Sequence, residues 1–280
     1  MTTLLVGFDS AWTRTNSGAI VGVLHLDDGT FLELDSPRNV NHCEAKDVII
    51  EWQDKLTPTA TIVLLDQPTI VKNAIGQRPV ESIAGSAVGL RYGGMLPANA
   101  SKEEMFGKDA PVWRFLTRFG GPADPLERAA NTRVIETYPV LAMIALHWTL
   151  PDQRATGRLP KYNPERGTFS ICDWKHVCGR ASGAFRERGL MEIVRWIDGA
   201  ASNPSPHKSD QDGLDACICL LVALYLAERK ECLMVGDLQT GYIVVPDDPD
   251  LRMELEKRCN ETHRAPSDWV RVFTLPQSAP

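Results

Sequence analysis

The chain has 280 residues, of which 43% are hydrophobic and 24% are charged, and its formal net charge at pH 7 is −6. This composition is typical of a globular protein, and no apolar run approaches the roughly 18 residues that a membrane span requires, so we expect no membrane partner. The negative net charge argues against a surface that attracts nucleic acid everywhere, because phosphate binding depends on Lys and Arg.

The sequence predicts a cytoplasmic protein. Its start lacks the charged segment and the small-residue cleavage site of a signal peptide, so it is read directly as a first strand. The cysteines number seven, which is odd, and none of them forms a C-x-x-C pair. Neither a disulfide framework nor a zinc site is therefore indicated.

The first half of the chain predicts a three-strand meander, a helix and a fourth strand. In chain order these are strands from Leu4 to Phe8, from Ala19 to Leu26 and from Thr30 to Leu34, a helix from Ala45 to Leu56 with a cap at Asn41, and a strand from Thr61 to Leu65. The strands are short apolar runs, and the helix has apolar residues at helical spacing. Residues 67–130 are rich in Gly and Pro and are predicted to be an insertion, with a modest helix near Pro111 to Phe119.

The second half predicts a fifth strand and three helices. These are a strand from Arg133 to Thr137, a helix from Pro139 toward Trp148, a helix near 185–199 and a helix from Gln211 to Glu228. The polar segment 150–182 is predicted to be a second insertion or lid. With the insertions set aside, the order is β-β-β-α-β-α-β-α. It predicts a single α/β domain over residues 1–280, with a mixed five-stranded sheet flanked by helices.

Two aspartates end strands that should be parallel neighbours. In a mixed sheet of this order the first, fourth and fifth strands run parallel, and ligands bind outside the carboxyl ends of such strands. Asp9 ends the first strand and Asp66 ends the fourth. Adjacent carboxylates repel each other unless a cation or a shared proton relieves them, so the pair indicates a divalent metal site. The alternative is that each Asp only starts a turn.

The last predicted helix supplies further acids. Asp215 precedes the apolar run that starts with Ala216-Cys217-Ile218, where a carboxylate is costly without a partner. Asp212 lies one turn earlier on the same helix face. Its alternative role is capping, because Ser209-Asp210-Gln211-Asp212 matches the S-x-x-D form of a capping box.

Four short motifs resemble those of a known family. They are Gly7-Phe8-Asp9-Ser10-Ala11-Trp12, Leu65-Asp66-Gln67-Pro68, Glu136-Thr137-Tyr138-Pro139 and Asp212-Gly213-Leu214-Asp215-Ala216. In this order, over nearly the whole chain, they look like the motifs of a broad bacterial and archaeal family of uncharacterised proteins regarded as predicted ribonuclease-H-fold nucleases. The D-x-x-D-A ending is also similar to that of RuvC-type Holliday-junction resolvases, whose first strand, fourth strand and final helix supply acids that hold two magnesium ions.

The resemblance implies a ribonuclease-H-like fold and a metal-dependent nuclease. Carried over by position, Asp9, Asp66 and Asp215 would be ligands of Mg²⁺ or Mn²⁺, and Asp212 would be a fourth ligand. Many enzymes of this kind dimerise, which leaves a homodimer open. The resemblance implies no particular substrate.

Five residues have weaker claims to the site. Glu136 ends the fifth strand at the same edge of the sheet, where it could be a catalytic acid or could accept hydrogen bonds from a helix start or an Arg. Lys161, together with Arg158 and Arg166, could contact phosphate from the second insertion, and Arg78 could do so from the first. The alternative for these four cations is a solvated loop.

The leading hypothesis for function is phosphodiester hydrolysis with two Mg²⁺ or Mn²⁺ ions, which needs no covalent protein nucleophile. The predicted partner is DNA or RNA, approached through residues 150–190, which hold eight Lys or Arg against four Asp or Glu. One alternative is an actin-like phosphotransferase or ATPase, although Ser10-Ala11-Trp12 puts a bulky ring where its phosphate loop needs a small residue. The other is a non-catalytic module that binds nucleic acid or protein, although such a module has little reason to keep three carboxylates at one costly site.

Overall fold

The computed structural model describes residues 2–127 and 131–275, which form two β-sheets. The strands are β1 (Thr3–Asp9), β2 (Gly18–His25), β3 (Phe31–Val40), β4 (Ala60–Asp66), β5 (Thr132–Glu136), β6 (Cys232–Asp237), β7 (Gly241–Pro246) and β8 (Val270–Phe273). The larger sheet has the strand order β3-β2-β1-β4-β5, and the smaller sheet has the order β7-β6-β8.

The larger sheet is mixed. β1 pairs antiparallel with β2, and β2 pairs antiparallel with β3, whereas β1 and β5 both run parallel to β4. This arrangement confirms the predicted five-stranded mixed sheet and the parallel direction of its first, fourth and fifth strands. In the register of β1 with β4, Asp9 is paired with Asp66 at the carboxyl ends of both strands.

Helices cover both faces of this sheet, as predicted. In the described residues they are α1 (His42–Leu56), α2 (Pro79–Leu90), α3 (Glu103–Phe106), α4 (Pro111–Arg118), α5 (Pro139–Ala145), α6 (Ile171–Arg186), α7 (Met191–Ser202), α8 (Lys208–Ala227), α9 (Pro249–Glu261) and α10 (Pro266–Trp269). α8 packs on β1, β2 and β4, while α1 and α4 share a buried cluster with the opposite face of the sheet. None of the helices in this part of the chain is long and apolar enough to cross a membrane.

β1 and α8 touch through their backbones at Gly7. A Cβ atom on Gly7 would lie 2.1 Å from the carbonyl oxygen of Ala216 and 2.4 Å from the backbone nitrogen of Leu220. Only a residue without a side chain permits this approach. Because Gly7 lies two residues before Asp9 and Ala216 directly follows Asp215, the contact brings the acidic start of α8 to the tip of β1.

The second predicted insertion is partly a core helix. Its last residues form most of α6, whose side chains Trp174, Val177 and Phe185 are fully buried. The helix predicted near 185–199 is confirmed in part by α7, but its first residues belong to the end of α6 and to the turn between the two helices. Gly189 separates them with φ +73°, a left-handed conformation that favours glycine. The helix α6 is hard to recognise in the sequence, because polar residues of its outer face alternate with its buried apolar residues.

The smaller sheet lies in the last part of the chain, for which the sequence analysis makes no prediction. One buried hydrophobic cluster includes side chains of β6 and β7 together with α2 and α8. The helix α2, from the first predicted insertion, is therefore part of the core and not a surface excursion. The predicted end of that insertion, near residue 130, lies outside the described residues. The first residue of the predicted domain and its last five residues also lie outside them.

Candidate functional site

Asp9 and Asp66 occupy the tips of two parallel strands and line one cleft. Burial raises the pKa of Asp9 well above its ordinary value, and the negative charges of Asp66 and Asp215 add to this effect. Burial likewise raises the pKa of Asp66, and the charge of Asp215 raises it further. The two strand ends thus hold carboxyl groups whose ionisation is opposed by their surroundings.

Asp215 enters the same cleft from α8. Its Oδ1 accepts a hydrogen bond of 2.7 Å from the Tyr162 hydroxyl, and its Oδ2 accepts one of 2.8 Å from Nε2 of Gln211. Burial raises the pKa of Asp215 to about 6, although these hydrogen bonds favour the ionised form. Burial also raises the pKa of Tyr162, so that hydroxyl keeps its proton and can donate. Both oxygens of Asp215 are therefore held in fixed directions.

Asp212 does not cap its helix. α8 begins at Lys208 after the cap residue His207, whose backbone N–H donates 2.8 Å to the carboxylate of Asp210. The capping role considered for Asp212 is wrong because the helix starts one residue before Ser209. Asp212 instead lies inside the helix, and its carboxylate forms an ion pair with the ammonium of Lys208.

Glu136 borders the cleft but is bound to an arginine. Arg78 Nη2 and Nη1 donate to its two carboxylate oxygens at 2.7 and 3.0 Å, and Nε of Arg78 donates 2.7 Å to Glu81. The side chains of these three residues are at most 3% exposed. Burial raises the pKa of Glu136 despite the attraction of Arg78. The structure places Arg78 in a buried ion pair, so the alternative of a solvated loop is wrong for this residue, and its substrate contact stays a prediction. Glu136 has the arginine partner considered as its alternative role.

The three predicted phosphate contacts of the second insertion differ in their surroundings. Arg158 forms an ion pair with the buried carboxylate of Asp173, so its guanidinium is already bound, and the cleft lining does not include it. Lys161 lines the cleft, but its ammonium donates 2.7 Å to the carbonyl oxygen of Tyr92. Arg166 is exposed and also lines the cleft. Of the three, Arg166 is best placed to meet a ligand.

The cleft has a volume of about 1220 Å³ and contains residues that the sequence analysis did not assign to the site. Lys208 and Gln211 lie four residues before Asp212 and Asp215, a helical spacing that could have identified both. Trp12 also lines the cleft, with φ +58°, and its indole N–H donates 3.0 Å to the carbonyl oxygen of Asp66. Its signal in the sequence is its place in the first of the four motifs, three residues after Asp9.

The donor chemistry of the cleft fits a hard divalent cation. Carboxylate oxygens are the ligands that Mg²⁺ and Mn²⁺ prefer, and four aspartates contribute them here. As the side chains lie, however, no group of three or more His, Cys, Asp and Glu residues among those described is arranged to hold a metal ion. The residues present therefore suit the ion by type, and their side chains would have to turn to bind it.

Comparison with known proteins gives a family and no individual relative. Residues 7–240 match the family described as "Protein of unknown function (DUF429)", which is more than half of the chain. The matched segment contains all four aspartates of the cleft. No curated protein and no solved structure matches the chain. The chain belongs to the DUF429 family.

Proposed function

We propose that this protein is a metal-dependent phosphodiester hydrolase, a nuclease, with a ribonuclease-H-like fold. The single observation that carries the proposal is the meeting of Asp9, Asp66 and Asp215 in one cleft, from two parallel strand tips and one helix. The strand order and the mixed strand directions support the fold assignment.

The electrostatics of the cleft support a metal. Burial together with mutual repulsion opposes ionisation of Asp9 and Asp66, so these acids would attract an added positive charge. A divalent cation would favour the ionised carboxylates. The residues that would hold it are Asp9, Asp66, Asp212 and Asp215. When bound, Mg²⁺ or Mn²⁺ ions would supply an activated water and stabilise the leaving oxygen of a phosphodiester.

The protein's own residues would orient the ligands and receive the substrate. Tyr162 and Gln211 fix the direction of the Asp215 carboxylate through one hydrogen bond to each oxygen. Arg78 neutralises Glu136 next to the site, so this acid adds less repulsion. The roles of Glu136 and Asp212 in catalysis stay predictions. The charge of Asp212 acts on Asp9, and the charge of Glu136 acts on Asp66.

The walls of the cleft support a nucleic acid as the substrate. Trp12 and Tyr92 provide aromatic surface, and Arg166 provides an exposed guanidinium. Aromatic rings that stack on bases and cations that contact phosphates are the usual means of binding single-stranded nucleic acid. A cleft of about 1220 Å³ has room for more than one nucleotide.

A cleavage assay tests the proposal. Labelled single-stranded, duplex and branched DNA and RNA are incubated with the protein in Mn²⁺ or Mg²⁺. We expect cleavage that stops with a chelator and in Asp66→Asn, while the exposed Asp54→Asn behaves as wild type. Binding without cleavage would contradict hydrolysis and favour a non-catalytic module. Stabilisation by ATP, with every nucleic acid left intact, would favour a phosphotransferase instead.

A further inference from the structure

Lys208 lies among the carboxylates of the cleft. It is the first residue of α8, one helical turn before Asp212, and its ammonium forms an ion pair with Oδ1 of that residue. The side chain of Asp212 is 8% exposed, whereas that of Lys208 is 41% exposed. The lysine therefore reaches from the open side of the cleft onto a buried acid.

Two other cations of the cleft are engaged elsewhere, and a third, Arg166, is exposed. Arg78 is bound to Glu81 and Glu136, and the ammonium of Lys161 contacts a backbone carbonyl. Within the described part of the chain, Lys208 is the cation that forms an ion pair with one of the four aspartates.

Lys208 lines the same cleft as all four aspartates. It therefore shares the cleft with acids that come from β1 and β4 as well as with those of its own helix.

We infer that Lys208 is the internal counter-ion of the aspartate site and that a divalent cation displaces its ammonium from Asp212 on binding. The inference rests on the proposed metal site. An ammonium and a metal ion on the same carboxylate repel each other, so they compete. The four-carbon stem of lysine is flexible, and its exposed side lets the ammonium move into solvent.

Mn²⁺ titration and thermal unfolding test the inference with three variants. Lys208→Gln removes the charge, Lys208→Arg retains it, and Lys175→Gln removes an exposed charge from α6 as a matched control. The dissociation constant of Mn²⁺ is measured by calorimetry, and the melting temperature is measured with and without the metal.

Because Lys208→Gln lacks the competing charge, we expect it to bind Mn²⁺ at least about fivefold more tightly than wild type does. This factor is the lower end of ordinary coupling between two sites. Without metal, Lys208→Gln should melt at a lower temperature, and saturating Mn²⁺ should remove this difference. Lys208→Arg and Lys175→Gln should both bind like wild type.

The possible failures are distinguishable. Equal Mn²⁺ affinity of wild type and Lys208→Gln would overturn the inference and leave the proposed metal site intact. Absence of Mn²⁺ binding by both proteins at millimolar concentration would overturn the metal site and the inference together. A metal-free melting temperature unchanged by Lys208→Gln would show that the lysine is not a counter-ion.

Discussion

The hydroxyl of Tyr162 donates a hydrogen bond of 2.7 Å to the carboxylate of Asp215, and both side chains are buried. The segment predicted as a second insertion therefore reaches into the aspartate site. It supplies a residue that positions an acid on α8, and it links the loop before α6 to the acids at the strand tips.

Tyr162→Phe should weaken both folding and metal binding. It removes a hydrogen bond to a charged group, which is worth about 2 kcal/mol, so the free energy of unfolding in urea should fall by this order. Loss of a residue that orients a metal ligand typically costs about tenfold or more in metal affinity, which Mn²⁺ titration would measure. Tyr225→Phe, on the same helix as Asp215 but outside the cleft, is the control. Equal Mn²⁺ affinity in the two variants would contradict a positioning role for Tyr162.

Gly7→Ala should destabilise the protein by forcing β1 and α8 apart. The added Cβ would meet the backbone of α8 at 2.1 Å, and an overpacked core typically loses about 1–3 kcal/mol. Gly199→Ala is the matched control, because a Cβ there meets nothing within 4 Å and Ala favours a helix. Chemical denaturation should show a loss for the first variant and a gain of up to about 1 kcal/mol for the second. Similar stabilities would refute the close contact.

The contribution of Asp215 to the stability of the metal-free protein should fall as the pH rises from about 4 to 7. The pKa of Asp215 is raised from 3.8 to about 6, so the unfolded chain releases this proton at lower pH than the folded protein does. The contribution of Asp215 to the free energy of unfolding is fully present below about pH 4 and is lost as the pH rises past about 6. The pKa change corresponds to on the order of 3 kcal/mol.

Asp215→Asn isolates this effect. In the presence of a chelator, the free energy of unfolding of wild type minus that of the variant should decrease between pH 4 and 7. The same difference for Asp54→Asn, an exposed site, should stay flat. A difference for Asp215→Asn that stays constant or increases with pH would contradict a raised pKa of this buried carboxyl group.

Substitution by alanine should have different effects at two arginines of the second insertion. Arg166 is exposed in the cleft, so Arg166→Ala should lower the salt dependence of duplex DNA binding, by about 0.9 in the slope of log affinity against log salt for one phosphate contact. The free energy of unfolding of Arg166→Ala should differ from that of wild type by less than about 0.5 kcal/mol. Arg158→Ala should instead reduce stability by about 1–3 kcal/mol, because the buried Asp173 loses its cationic partner and keeps only hydrogen bonds from Lys161 and Ser170. A smaller salt slope in Arg158→Ala alone would contradict these assignments.

The sequence predicted the elements whose positions follow from topology. Asp9 and Asp66 were expected together because parallel strand tips share an edge, and the register of β1 and β4 pairs them directly. Asp215 could be identified because a carboxylate at the start of an apolar helix demands a partner. Asp212 was harder to assign, because a matching capping box does not reveal at which residue the helix begins.

Contacts between distant segments could not be predicted in this way. Arg78 and Glu136 are 58 positions apart, so no local pattern indicates that they neutralise each other. The pair of Arg158 with Asp173 depends in the same manner on the docking of α6. Amphipathic helices with polar outer faces, such as α6, are hard to distinguish from polar loops in the sequence, because polar residues separate their buried side chains along the chain.

A structure of crystals soaked in Mn²⁺, with anomalous scattering data, tests the central claim most directly. We predict anomalous density between the strand-tip acids Asp9 and Asp66 and the acids of α8, with the ammonium of Lys208 moved away from Asp212. Crystals soaked with a chelator provide the control and should retain the ion pair. Saturating Mn²⁺ that leaves no anomalous density in the cleft, with Lys208 still bound to Asp212, would contradict a metal site built from these aspartates.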